Sequence, residues 1–492
     1  MTVPLARQAG RAMSWRATEL ASVQIIFLVR LLVLARLLSP DDFGLLAIAM
    51  TVIAFLMAVT NFGMVPALVQ RAENDPRHYD VAWTVGVMRA LTVALAVLVA
   101  APFAASFFEE PRAVPIIRAL AVIPLLDAAV SIRVADLTRA LKFRALGGIG
   151  VAKALVNTVV AIALAPWLGV WALVAGVTAG SVAHLVGSYI LAPHRPRILF
   201  DAEALAPLLR FGRWIFVKGI VSRVGSFALN AAIARELGTA ALGLFFLASN
   251  LAFLPALVAS QVAGSVAFPL FVRLQAHLRL LGKAFRTLLS GLALLLVPAS
   301  ILLVVLAPFL VEYLLDPRWA GTAPLIQVLA LIGLMGLFGE TIVPLFQGVG
   351  QPGRVALLEF VQALIIVATA GWLARQGGLM GVTVSLFLAT LVSQMVGLVM
   401  LRQLLPRPFR GLGRPMLLIV TTALAGGGLA WGVGALVGGI PGLVAGGVSG
   451  AGLVALLLWY GDRWLGTGLA RGLASTFPGL SVARSPRATA GP

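Results

Sequence analysis

The chain has 492 residues, 60% hydrophobic and 11% charged, with a formal net charge of +19 and no cysteine. A soluble domain is about 25% charged, so this composition excludes a soluble fold and leaves a polytopic membrane protein. The lack of cysteine excludes disulfides, thiolate metal sites and cysteine nucleophiles, and the placement of the basic excess at the ends of apolar runs assigns it to membrane topology rather than to nucleic acid.

A membrane-spanning helix takes roughly 20 apolar residues, and helices are the sensible spanning element because backbone groups in lipid must be satisfied within the segment. Fourteen spans are predicted in chain order, at about 14–36, 43–69, 82–108, 113–133, 146–166, 169–192, 211–235, 241–269, 288–311, 320–347, 354–374, 379–401, 415–437 and 441–461. The first carries Arg16, Glu19 and Arg30 and lacks a small-residue cleavage site, so it reads as a span and not as a removable leader. The eighth holds Pro255 and Pro269 as expected kinks. The 47 residues between Arg414 and Asp462 contain no charge and hold two spans, divided near Gly438 to Pro441.

Outside the spans, 25 lysines and arginines fall at one set of loops and 5 (Arg36, Arg112, Arg235, Arg318 and Arg375) at the other. This bias places the 25-rich side and both termini in the cytoplasm. Adding or missing one early span would collapse the alternation, so it also supports the span count. The outer loops are short. The longest inner connection, His194 to Arg210, is polar and contains proline.

Residues 35–49 (ARLLSPDDFGLLAIA) match residues 234–248 (ARELGTAALGLFFLA) at an offset of 199, pairing Arg36 with Arg235 and Gly44-Leu45 with Gly243-Leu244. Each is an outer turn between an odd and an even span. In the first, Ser39 is placed to cap the next helix, Pro40 suits its first turn, and Asp41 and Asp42 suit its positive end. A weaker echo pairs 168–173 with 380–385. Six spans then form one unit, and two units in the same orientation form a recurrent transporter plan with the binding site between them. The expected fold is all-α: about fourteen transmembrane helices, two six-helix lobes in a parallel pseudo-twofold repeat, and two extra C-terminal helices. The divisions are a tail at 1–13, a first lobe at 14–192, a linker at 193–210, a second lobe at 211–401, spans 13 and 14 within 402–461, and a tail at 462–492.

Seven basic residues lie inside the spans: Arg16, Arg30, Arg89, Arg118, Lys153, Lys218 and Arg223, against the acids Glu19, Asp127, Glu340 and Glu359. Each charge facing lipid costs roughly 2.5–3.5 kcal/mol, so all seven cannot do so. Arg16, Arg118 and Lys218 are expected to snorkel to a surface. Arg223, Ser226 and Asn230 form one polar helical face, as do Arg16, Glu19 and Arg30, and both faces would look into one central cavity. Arg89 and Lys153 lie about two turns in from the cytoplasmic end. The surplus of base points to an anionic ligand, and the planar arginine fork suits phosphate or diphosphate. The competing reading is helix-to-helix pairing, such as Arg118 with Asp127 or Lys153 with Glu359. His78, His184, His194 and His277 are scattered, and no metal cluster or Walker-type loop is present, so no metal or cofactor is expected.

The runs 36–71, 80–128, 139–149 (RALKFRALGGI) and 200–220 (FDAEALAPLLRFGRWIFVKGI) resemble the bacterial Wzx-type lipid-linked oligosaccharide flippases, and within their superfamily the polysaccharide exporters. The resemblance covers about residues 10–460 and is compositional over the last two spans. It implies two six-helix lobes in a V, alternating access, and an undecaprenyl-diphosphate-linked glycan moved from the inner to the outer leaflet of the bacterial cytoplasmic membrane for surface polysaccharide assembly. It implies diphosphate contacts at Arg30, Arg89 and Arg223, and partners in membrane lipids, glycosyltransferases and a polymerase. Where such a protein could carry an acid in the seventh span, this chain has Asn230, so coupling is expected instead at Glu340, Glu359 or Asp127. The alternative is a drug or metabolite exporter of the same architecture, disfavoured by the basic interior. A membrane enzyme would need acids on substantial outer loops, whereas Asp41, Asp42, Glu109, Glu110, Glu236, Glu312 and Asp316 lie in tight turns.

Overall fold

The computed structural model describes residues 3–60, 76–140, 142–405 and 407–465, and every regular element among them is helical. The first half contains α1 (Val3–Leu37), α2 (Pro40–Val59), α3 (Pro76–Phe107), α4 (Ala113–Leu120), α5 (Val122–Ala129), α6 (Val134–Arg139), α7 (Phe143–Leu168) and α8 (Val170–Leu191). The second contains α9 (Ala202–Leu237), α10 (Thr239–Ala252), α11 (Leu254–Leu274), α12 (Leu278–Leu314), a single 3-10 turn (Pro317–Trp319), α13 (Thr322–Met335), α14 (Leu337–Gly348), α15 (Pro352–Leu404), α16 (Gly413–Val437) and α17 (Gly439–Leu465). The chain is thus an all-helical, multi-pass membrane protein.

Among the described residues, ten helices are long and apolar enough to cross a membrane, or eleven if α10 and α11, bent by 48°, count as one. The difference from fourteen has local causes. The expected spans at 354–374 and 379–401 run together as α15, interrupted where Gly378 adopts φ 58° and ψ −142°. The expected span at 113–133 is split into the two short helices α4 and α5. The span at 211–235 lies on α9, and because the side chains of 202–218 lie outside the described residues the ten do not include it. The far part of the expected span at 43–69 and the tail beyond residue 465 lie outside the described residues, as do the side chains of Arg16 and Lys218. The segment at 193–201 has no regular secondary structure, and α9 already begins at Ala202. The bend near Pro255 falls at Phe253, whereas Pro269 is accommodated inside α11.

The start of α2 follows from its first four residues. Ser39 is its N-cap and, with Asp42, closes a capping box: Ser39 Oγ accepts from the Asp42 N–H (3.2 Å), and Asp42 Oδ2 accepts from the Ser39 N–H (2.9 Å). The second carboxylate oxygen, Asp42 Oδ1, accepts from the Val170 N–H at 3.1 Å, the first residue of α8. One carboxylate therefore caps two helices distant in sequence. Gly169, at φ 54°, supplies the turn between α7 and α8 that brings Val170 there. The corresponding break in the second half is Gly378, not a residue of the 380–385 stretch that echoes 168–173 in sequence; Gly381 is instead helical and lies against the Leu373 carbonyl.

Packing brings α1 against α7 and α9 against α15; α2 meets α10, and the pair α16–α17 leans on α12. Removing a cap costs about 1 kcal/mol. Asp42→Ala, which uncaps two helices, is expected to destabilise the chain by about twice as much as a single-cap loss, measured by thermal unfolding in detergent against Ser39→Ala as the single-cap reference. Equal midpoints for the two variants would contradict the double cap.

Candidate functional site

At one end of the molecule the two halves of the chain meet backbone to backbone. A side-chain carbon placed on Gly44 would lie 2.0 Å from the Thr239 carbonyl oxygen, and one placed on Gly243 would lie 1.7 Å from the Pro40 carbonyl oxygen. The contact is reciprocal at the spacing of 199 residues that relates Pro40 to Thr239 and Gly44 to Gly243. Glycine is required at both positions because any Cβ would collide with main chain. Around the crossing, the Phe43 ring packs edge-on to Trp319 (5.2 Å between centroids), and Trp319 Nε1 donates to the Ala35 carbonyl at 2.6 Å. Below it, Phe227 of α9 touches Phe55, Phe107 and Phe108 of the first half.

The five arginines that the charge count places on the sparse side all take part in this seal. Arg36 donates to the carbonyls of Leu314 and Tyr313, both at 2.7 Å. Arg235, the residue paired with it in the repeat, reaches back to Glu109 at 3.4 Å. Arg112 bridges Asp41 (2.6 Å) and Glu110 (2.7 Å). Arg318 binds Asp316 at 2.8 Å, and Arg375 binds Glu236 at 2.9 Å. Glu110 is the buried member: its side chain is 11% exposed, both its oxygens accept from Arg112, and Oε2 also accepts from the Thr239 hydroxyl of the other half at 2.7 Å. Glu109 adopts φ 56°, a left-handed conformation that turns the chain at the end of α3 and presents Glu110 inward. The Arg112 hydrogen bonds, followed by that of Thr239, hold the Glu110 carboxyl below the usual carboxylate range; Glu110 and then Asp41 hold the Arg112 guanidinium more firmly protonated.

Within the first half, four helices bring charged groups together. Lys153 Nζ on α7 lies 3.9 Å from Asp127 Oδ1 on α5. Arg89 on α3 and His184 on α8 are within electrostatic reach of Asp127, and His184 also of Lys153. The α7–α8 pair is close because Gly176 and Gly180 of α8 receive Asn157 of α7, the small-xxx-small device of packed membrane helices. Lys153 thus pairs with Asp127 and not with Glu359, and Arg118, exposed on α4, leaves Asp127 to Lys153.

The other expected site residues are distributed. Arg30 is half-buried on α1 with its guanidinium over Phe27 (5.2 Å), and makes no ion pair with a described residue. Glu19 of the same helix lies against Gly147 and Gly150 of α7. Arg223 is exposed on α9 and likewise unpaired among the described residues; Gly225 seats this stretch on Ala363 of α15. Ser226 is exposed and bonds back to the Ser222 carbonyl at 3.4 Å. Asn230 diverges from that polar face, donating to Thr51 Oγ1 of α2 at 2.8 Å, so it ties the two halves together. Glu340 (α14) and Glu359 (α15) are half-buried. Among the described residues, no group of three histidines or acids is placed to hold a metal ion.

These features define a polytopic helical membrane protein with two chain halves locked at one end and excess base in its interior. The polysaccharide biosynthesis protein family matches residues 33–324, and the chain belongs to that family. It is 24% identical over 401 residues to the lipopolysaccharide biosynthesis protein WzxC of Escherichia coli (strain K12), covering 80% of this chain and 81% of the relative. It is 26% identical over 376 residues to the succinoglycan biosynthesis transport protein ExoT of Rhizobium meliloti (strain 1021), covering 76% of each. Among solved structures, the lipid II flippase MurJ in an inward closed conformation superposes with a TM-score of 0.73 at 13% identity, covering 91% of this chain and 99% of that one; this likeness is one of fold.

Because the chain has no cysteine, Leu242→Cys, at a position 1% exposed in α10, reports on the seal through labelling by a membrane-impermeant maleimide. Adding Glu110→Gln is expected to raise labelling about tenfold to a hundredfold, given roughly 1.5–3 kcal/mol for hydrogen bonds to a charged group. Glu110 is depressed in the sealed state, so its contribution is complete above the ordinary carboxylate pKa near ~4.3 and is lost as pH falls through its lower sealed-state value. Labelling with Glu110 intact, expressed relative to an exposed reference cysteine at the same pH because maleimide reacts with the thiolate, should therefore stay constant from neutral pH down to about 5 and rise only in stronger acid. A steady rise between those limits would exclude Glu110 as the anchor.

Proposed function

We propose that the chain is a flippase that moves an undecaprenyl-diphosphate-linked oligosaccharide from the inner to the outer leaflet of the bacterial inner membrane, supplying surface polysaccharide assembly by alternating access. The observation that carries this reading is the coexistence of a zipped end with interior arginines, Arg30 and Arg223, that have no carboxylate partner among the described residues. Its support from outside is membership in the polysaccharide biosynthesis family and relatives named for lipopolysaccharide biosynthesis and succinoglycan transport.

In this reading the chain has fourteen spans with both termini cytoplasmic, arranged as lobes 14–192 and 211–401 with spans 13 and 14 appended. The sealed end faces outward and the arginine-rich end faces the cytoplasm. Arg30, Arg89, Lys153 and Arg223, aided by Ser226, hold the diphosphate oxygens, arginine doing so through its planar fork. Lys153 and Asp127 are 39% and 35% exposed; facing lipid they would each cost roughly 2.5–3.5 kcal/mol, so the surface they expose is aqueous. The lipid tail stays in the bilayer while the lobes rock.

Net movement needs an energy source, and one charge crossing the membrane is worth roughly 2.3 kcal/mol per 100 mV. Asp127 is the foremost coupling carboxylate, because proton or cation binding there would release Lys153 and alter the field at Arg89; Glu340 and Glu359 are the alternatives. Glycosyltransferases that build the glycan and a polymerase that consumes it are the expected partners.

Arg223→Ala and Arg89→Ala are expected to abolish surface polysaccharide in the producing cell while immunoblots show an unchanged amount of chain. Conservative Arg223→Lys should retain part of the export. Normal polysaccharide in the alanine variants, or a gain in sensitivity to cationic dyes in place of polysaccharide loss, would overturn the assignment.

A further inference from the structure

At the end opposite the seal, the segment 193–201 leaves α8 and folds back across the start of α3. The Asp80 carboxylate accepts from the Arg197 N–H (3.3 Å), and Thr84 Oγ1 accepts from the Leu199 N–H (3.1 Å). Beneath this strap is a cavity of about 670 Å³ whose lining includes Asp80, Arg133, Tyr189, His194, Arg195 and Arg197. Three arginines face one carboxylate there, and that carboxylate is already engaged by the strap. The His194 side chain is 6% exposed; its Nε2 lies 3.5 Å from Asp80 Oδ1 and makes no hydrogen bond to a described residue. A buried ring nitrogen without a hydrogen bond costs about 1–3 kcal/mol, so this nitrogen is open to a further partner in the cavity.

A second cavity, of about 590 Å³, adjoins the first and shares Tyr189 with it. Its other walls are Ala129 of α5 and Leu185, Val186 and Ile190 of α8. Val186 and Ile190 are exposed there and belong to a membrane span, so this groove opens towards lipid. Tyr189 stands where the apolar groove meets the basic pocket, the place at which an amphipathic ring marks the membrane–water boundary.

We propose that the two cavities together form a site for a lipid with an anionic phosphate headgroup: the phosphate lies among Arg133, Arg195, Arg197 and His194, and an acyl chain follows the groove along Val186 and Ile190. A soluble phosphate shares the headgroup chemistry and would use the first cavity alone. The basic pocket lies nearer the start of α3 than Arg89 does, by roughly 13 Å along the helix at about 1.5 Å per residue, while the groove reaches Ala129, two residues from Asp127. The inference rests on the membrane placement of the helices and not on the flippase reading, so it stands or falls without any transport measurement.

The test is native mass spectrometry of the purified full-length chain, titrated with phosphatidylglycerol, phosphatidylcholine or inorganic phosphate. Phosphatidylglycerol should be retained and phosphatidylcholine at least about tenfold less. Arg195→Gln with Arg197→Gln should weaken phosphatidylglycerol retention by about 25-fold, from roughly fivefold per basic residue at an anionic lipid surface, and Arg195→Lys with Arg197→Lys should restore most of it. Val186→Gln with Ile190→Gln should weaken phosphatidylglycerol but leave inorganic phosphate binding unchanged. Each variant is compared with the parent chain by thermal unfolding in lipid-free detergent, where equal midpoints establish that it is folded. Equal retention of the two lipids, no effect of the glutamine pair at 195 and 197, or phosphate binding with no response of phosphatidylglycerol to the groove variant would each overturn the proposal, the last in favour of a soluble-anion pocket.

Discussion

The close crossing of α2 and α10 is the constraint on which the rest of the structure depends. Gly44 against the Thr239 carbonyl and Gly243 against the Pro40 carbonyl leave no room for a side chain at either position. Arg36 and Arg235 each reach from one half of the chain to groups on the other, while Arg112 ties Asp41 to Glu110 within the first half. The exposed ion pairs contribute individually about 0.2–1 kcal/mol, so the buried hydrogen bonds of Glu110 to Arg112 and Thr239 and the packing of Phe43 on Trp319 dominate the closed state.

This arrangement joins two uses of arginine. Outside the spans the basic residues gather at one set of loops, 25 against 5. Each of the five at the other set holds a turn of the seal. Inside the membrane a third group is only partly neutralised: Asp127 serves both Lys153 and Arg89, while Arg30 and Arg223 have no ion pair among the described residues. One end is thus sealed by neutralised charge while the interior keeps base without a carboxylate partner among the described residues, the contrast on which the proposed function rests.

Much of the fold is legible in the sequence because membrane helices obey a strong one-dimensional rule of length and polarity. The Ser39–Pro40–Asp42 start of α2 reads directly as a helix cap, and the pairing of Gly44 with Gly243 at an offset of 199 marks the two turns that meet. What the sequence does not reveal is which helix ends become neighbours. Lys153 meets Asp127 rather than Glu359 because Gly176 and Gly180 draw α8 onto α7 and keep the cluster within the first half. Asn230 shares a helical face with Arg223 by period, yet bonds to Thr51 because α2 passes over that turn of α9. The acids at these turns are recognisable as turn residues, but their role in the seal depends on partners more than a hundred residues away in sequence, as between Glu110 and Thr239.

Under the proposed function, the crossing opens and closes as lipid-linked diphosphate occupies the interior. Trp167 and Trp372 stand exposed at the sealed ends of α7 and of the first part of α15, one in each half. Spin labels introduced as Trp167→Cys and Trp372→Cys in the cysteine-free chain would be measured by pulsed electron resonance in lipid nanodiscs, with and without a lipid-linked diphosphate glycan. The account expects one short distance in the empty chain and a second, longer population when the substrate is present. A single distance unchanged by substrate, in a preparation that transports it, would contradict the account.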